Sequence, residues 1–217
     1  MKQLEIGDKN LFNDLFNKGL VKDFIQFQDK DKNKNIAYIF PLSQKDYKKD
    51  YNNWIGAFHG TIYQNLDSII KYGLNIQGTK LKNGKITPKT KYEHPKLVNG
   101  IKNWENAIFA SPTIYLAKNY SENKYRCVLG VKIEPNSFTN HYTEYLHIRC
   151  CNFEDDKYYE YLEHEVIYRI SSAKNIIVNS IIFFNEDFIC FVEESEDKLA
   201  KLKKLNDKFL DLINFSK

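Results

Sequence analysis

The second half of the chain places the tightest constraint on its fold. Apolar, β-branched or aromatic runs recur at Arg126–Ile133, Tyr145–Cys150, Val166–Ile170, Ile176–Phe184 and Phe188–Val192, each bounded by turn residues. Runs of this length and composition read as strands, so the half is expected to be mostly β. Helices should frame it. Leu66, Ile69 and Ile70 recur at helical spacing before Gly73, a C-terminal stop, and Pro112 opens a helix over Thr113–Ser121. From Asp197 onward Leu199, Leu202, Leu205, Phe209 and Leu212 repeat at spacings of three and four, an amphipathic helix expected to pack on the sheet. The expected class is α+β.

Composition bounds the domain count. With 217 residues, 42% hydrophobic and 15% aromatic, the chain suits one packed domain with short extensions. Fifteen Tyr and 15 Phe against 5 Pro and 9 Gly exclude disordered and collagen-like architectures. Residues 1–53 read as an accessory flank, with a helix near Leu11–Val21, a polar turn at Asp29–Asn35 and a strand at Ile36–Phe40. Residues 54–193 form the core domain, and 194–217 hold the terminal helix. Within the core, Trp54–His59 and Ala107–Ala110 read as strands, and the polar, Gly- and Pro-punctuated stretch Asn75–Asn103 is a long loop of the kind that is functional or mobile.

The net charge of +4 comes almost wholly from lysine, because Arg126, Arg149 and Arg169 are the only arginines. Bidentate reading of phosphates and bases draws on arginine, so a dedicated nucleic-acid reader is disfavoured and a protein partner preferred. Cys127, Cys150, Cys151 and Cys190 show no CxxC spacing and read as reduced, half-buried thiols of a cytosolic protein. His94, His141 and His147 form no metal motif; no metal is expected. The N-terminus lacks a signal-peptide run and no stretch approaches the ~20 apolar residues of a membrane span. The expectation is a soluble cytoplasmic protein with no membrane partner, although non-classical export leaves no mark in a sequence.

Three segments carry chemistry. Phe58-His59-Gly60-Thr61 joins a strand to a helix ending in Gly73-Leu74. Ile108-Phe109-Ala110-Ser111-Pro112 is followed by Tyr120, eleven positions after Phe109 with Ala117 between. Glu163-His164-Glu165-Val166-Ile167-Tyr168-Arg169 enters a strand. In this order the segments resemble the ADP-ribosyltransferase superfamily, in the branch of diphtheria toxin and the poly(ADP-ribose) polymerases with its His–Tyr–Glu triad. The resemblance covers about Trp54 to Phe184. Phe109 stands in the place of the triad tyrosine, and alignment on Val166–Arg169 without a gap puts His164 at the triad glutamate, so Glu165 or Glu163 needs a one-residue shift such as a bulge.

The resemblance implies a split β-sheet core with flanking helices, and residues 54–193 as the catalytic domain. It implies NAD as co-substrate and transfer of ADP-ribose, in single units, to a macromolecular acceptor with release of nicotinamide. His59 would bond the adenosine ribose, Gly60 and the adjoining Thr61 would form the cofactor turn, and Phe109 and Tyr120 would sandwich the nicotinamide. Glu165, or Glu163 on the same strand face, would be the catalytic carboxylate, since an oxocarbenium-like ribose needs a fixed opposing charge. The Arg–Ser–Glu toxin branch needs an arginine on its first core strand, and none precedes Arg126. Two alternatives stay open: an NAD glycohydrolase with water as acceptor, and an inactive module that binds NAD or ADP-ribose. The Asn75–Asn103 loop is expected to flank the NAD cleft and influence acceptor choice.

Overall fold

The computed structural model describes residues 13–19, 21, 24–29, 34–42, 51–87, 97–98, 101–121, 126–142, 166–184 and 206–213. Strands are β1 (Ile25–Asp29), β2 (Lys34–Pro41), β3 (Ile55–Thr61), β4 (Leu97–Val98), β5 (Ile101–Lys102), β6 (Ile108–Ala110), β7 (Arg126–Ile133), β8 (Phe138–Tyr142), β9 (Val166–Ile170) and β10 (Ile176–Phe184). Helices are α1 (13–17), α2 (Leu66–Tyr72), α3 (Ile114–Asn119) and α4 (206–213). Two antiparallel sheets dominate, one ordered β1-β2-β10-β7-β3 and the other β6-β9-β8, with β4 and β5 forming a small ribbon. With few helices around them, this is an α+β architecture.

Side-chain alternation explains why the large sheet is covered on both faces. Ala57 of β3, Leu129, Val131 and Ile133 of β7 and Ile181 of β10 pack with Leu15 of α1, Leu66 of α2 and Ile108 and Ile170 of the smaller sheet. Their neighbours Phe58, Val128 and Ile182 point the other way, onto Ile114 and Ala117 of α3 and Phe209 and Ile213 of α4. Gly130 admits α4, for a Cβ there would lie 2.1 Å from Ser180 Oγ and 2.8 Å from Ile213 Cγ1. The β7–β10 register shifts between Val178 and Ser180. Asn179, at that irregularity, donates from Nδ2 to the Ile213 carbonyl at 2.7 Å and so fastens α4 to the sheet.

The expected helix ending at Gly73 is present, with Gly73 at φ 75° where the helix stops. Strands occur over Arg126–Ile133, Val166–Ile170 and Ile176–Phe184 as the apolar runs suggest. The turn expected at Asp29–Asn35 is narrower, because Gln28 pairs with Asn35 and Asp29 with Lys34 in a β1–β2 hairpin. That hairpin lies in the segment expected as a flank, yet β2 pairs with β10 from Pro41↔Ser180 to Ala37↔Phe184 inside the main sheet. Cys127 is wholly buried rather than half-buried, and burial pushes its thiol far above the ordinary value. The runs at Tyr145–Cys150 and Phe188–Val192, the other cysteines and the tail before residue 206 lie outside the described residues. Among the described residues no helix is long and apolar enough to cross a membrane.

Candidate functional site

The two sheets touch where Phe58 of β3 meets Ser111, just past β6. The two residues exchange both backbone hydrogen bonds, at 2.8 and 2.9 Å. Phe58 therefore turns its N–H and C=O away from β7. Backbone polar groups alternate sides along an antiparallel strand, and β3 keeps an unbroken register with β7 from Ile55↔Ile133 to Thr61↔Cys127. Gly60 thus aims its N–H and C=O toward the same outer edge as Phe58, at a point the β6 bridge does not cover.

The space beside that edge is a cavity of about 380 Å³. His59, Gly60, Thr61, Phe109 and Tyr120 all line it. The eleven-residue spacing of the two aromatics works because β6 ends at Ala110, α3 occupies Ile114–Asn119, and Tyr120 follows at the helix end. Gly60 has a second duty that the sequence does not reveal. A Cβ there would lie 1.9 Å from the Ala117 carbonyl oxygen and 2.8 Å from Tyr120 Cβ, so the missing side chain lets α3 approach β3.

His59 ties the two sheets together. Its Nδ1 lies 2.7 Å from the Phe109 carbonyl. A carbonyl only accepts, so Nδ1 carries the proton and Nε2 is the acceptor of the neutral ring. Burial lowers the imidazole pKa below its ordinary 6.5, with the Phe109 hydrogen bond opposing the shift. The ring is neutral at pH 7.

Phe109 is backed by a residue that sequence reading passes over. Trp104, 3% exposed, lines the cavity and meets the Phe109 ring at 5.4 Å and 36°. His141 stands edge-on to Trp104 at 4.4 Å and bonds Thr139 Oγ1 through Nε2 at 2.8 Å. Its pKa is lowered by burial and then by the charge of Arg169. Glu105 also lines the cavity and is the one carboxylate among the described lining residues, which include no Lys or Arg. Its Oε2 is buried without a hydrogen-bond partner, while its backbone carbonyl accepts a bond from Gln77 Nε2 at 3.0 Å. No local pattern marked Trp104 or Glu105, which sit in a turn at residues 103–106. The only sequence signal was an aromatic five residues before Phe109.

The opposite wall comes from α2 and the first part of the expected loop. Ser68, Ile69, Asn75, Gln77, Leu81 and Thr87 line the cavity from this side. Asn75 Nδ2 donates to the carbonyls of Tyr72 and Gly73 at 3.1 and 3.0 Å. Thr87 Oγ1 donates to the Ile76 carbonyl at 2.7 Å and accepts from the Thr79 N–H at 2.8 Å. Gly78 and Gly84, at φ 74° and 81°, make the reversals. Residues 75–87 are thus braced by their own hydrogen bonds.

Glu163 and Glu165 lie outside the described residues. The described strand β9 begins at Val166, and its Ile167 lines the cavity. Among the described residues no group of His, Cys, Asp and Glu is arranged to hold a metal ion. No protein-family model and no curated protein matches the chain. Chemically, the described cavity offers a strand-edge donor and acceptor, aromatic faces and a neutral imidazole without a cation. That set suits a flat ring bearing an amide.

Proposed function

We propose that the chain is an NAD-dependent ADP-ribosyltransferase with an ADP-ribosyltransferase-like split sheet, moving single ADP-ribose units from NAD to a protein acceptor. The observation that carries this reading is the outward-facing backbone of Gly60 in one cavity with Phe109 and Tyr120. A primary carboxamide has one acceptor and one donor group, the complement of a strand-edge N–H and C=O. Aromatic faces on either side of its ring would each contribute about 0.5–1.5 kcal/mol beyond burial. His59 Nε2 would accept from a ribose hydroxyl. The glycosidic C–N bond breaks with its electron pair leaving on nicotinamide, the acceptor nucleophile bonds to the ribose carbon, and the nucleophile gives up its proton to solvent. The Glu165 carboxylate, or that of Glu163, would stabilise the positive ribose between those events.

Phe109 supports a second reading. It supplies a stacking face but no hydroxyl, which suits a module that binds NAD or ADP-ribose without turnover. Water as the acceptor would instead make the site an NAD glycohydrolase. NAD labelled in the adenylate half separates these outcomes: label on protein indicates transfer, free ADP-ribose indicates hydrolysis, and neither indicates a module. The transferase reading predicts that Glu165→Gln lowers turnover by roughly 10²–10³ and that His59→Ala raises KM. Loss with Glu163→Gln alone would move the carboxylate by two residues. Loss with Glu105→Gln alone would move it to the turn before β6. Inactivity of the wild type with varied protein acceptors would overturn the transferase.

A further inference from the structure

Arg169 stands opposite Phe109 in the β6–β9 ladder, and its side chain reaches the 103–106 turn that precedes β6. Its Nε donates to the Trp104 carbonyl at 3.2 Å. One terminal nitrogen, Nη2, donates to the carbonyls of Asn103 and Asn106, each at 3.4 Å. The guanidinium carbon also lies 5.6 Å from the centre of the Trp104 ring, within cation–π range. Asn103 holds φ 52°, a left-handed conformation that an L residue other than glycine adopts at some cost. Three carbonyls of one short turn thus meet one cation. A planar fork presents its donors in fixed directions, whereas a lysine ammonium is a point charge on a flexible stem.

We propose that Arg169 is a positioning residue: it fixes the 103–106 turn and the Trp104 ring, and through Trp104 sets the Phe109 face against which the flat ring of the bound ligand stacks. Several groups surround this arginine. His141 lies on the facing side of Trp104, Thr139 is the Arg169 partner on β8, and the Glu105 carboxylate acts on the guanidinium through its charge. Naming NAD as the ligand rests on the function proposed above; the ordering of Trp104 and Phe109 does not.

The chain has two tryptophans, so Trp54→Phe leaves Trp104 as the only indole reporter. In that background Arg169→Leu is expected to red-shift Trp104 emission. It is also expected to weaken NAD binding and raise KM about five- to tenfold, with kcat within about twofold, the loss of roughly one stacking contact. Arg169→Lys should fall between, because a flexible ammonium keeps the charge but holds the three carbonyls less rigidly than the planar guanidinium. If Arg169→Leu fails to fold by circular dichroism, Arg169→Lys carries the same readouts. Unchanged emission and unchanged NAD affinity in a folded Arg169 variant would overturn the proposal. A red shift in a protein whose wild type does not bind NAD would uphold the positioning role and remove NAD as the ligand.

Discussion

The two walls of the cavity are built by different means. On one side, β3, β6 and α3 are locked by contacts between separate elements: the Phe58–Ser111 main-chain pair, the bond of the His59 side chain to the Phe109 carbonyl and the close passage of Ala117 over Gly60. On the other, residues 75–87 close on themselves, through main-chain bonds such as Leu81 N–H to the Lys85 carbonyl at 2.7 Å and Thr87 N–H to the Thr79 carbonyl at 2.9 Å, side-chain bonds from Asn75 and Thr87, and reversals at Gly78 and Gly84. Contacts between separate elements fix one element against another, and few substitutions relax them without loss of fold. Bonds within one segment can be altered one residue at a time. The first wall is thus suited to holding the reacting part of a ligand and the second to deciding what else fits.

Substitutions should separate the walls clearly. Gly60→Ala drives a methyl into backbone at 1.9 Å, and we expect about 3 kcal/mol of lost stability or outright misfolding in urea unfolding. Gly84→Ala meets nothing within 4 Å and is strained only by its φ of 81°, so about 1–2 kcal/mol is expected. Thr87→Val removes a hydroxyl that donates to Ile76 and accepts from Thr79; about 1 kcal/mol should be lost, with ligand specificity altered more than turnover. Equal costs at Gly60 and Gly84 would erase the distinction.

Acidity probes the first wall by itself. The folded His59 pKa lies below its ordinary 6.5 because burial disfavours the cation. Above about pH 6.5 both folded and unfolded chains hold the ring neutral. As the pH falls below that value the unfolded chain takes up a proton that the folded chain refuses, so stability declines until the lowered folded pKa is reached. His59→Gln should flatten this part of the stability profile, measured by urea unfolding across the acid range. An unchanged slope would show that the imidazole is not the group buried neutral there.

Much of the fold around the cavity could be read locally. Leu66, Ile69, Ile70 and Gly73 announced α2, the apolar runs announced β7, β9 and β10, and the Phe109–Tyr120 spacing announced a short strand followed by a short helix. The edge strand β8 was missed because Thr139 and Asn140 are exposed and polar, which blurs the apolar signature. β1 was missed because Gln26, Gln28 and Asp29 leave it only two apolar residues. Trp104 and Arg169 were illegible for another reason. They are 65 positions apart and meet only through the register of β6 with β9, which no local periodicity encodes. Gly60 was legible as a turn glycine, yet its contact with Ala117 depends on how α3 returns to β3.

The central claim is that the open edge of β3 at Gly60 receives the carboxamide of nicotinamide. Labelling the nine glycines with ¹⁵N gives nine amide signals, and titration with nicotinamide follows each of them. The account predicts a saturable shift of the Gly60 amide, with the amide of Gly19, which does not line the cavity, moved far less. Saturable nicotinamide binding that leaves Gly60 unshifted, or no binding at all, would contradict it.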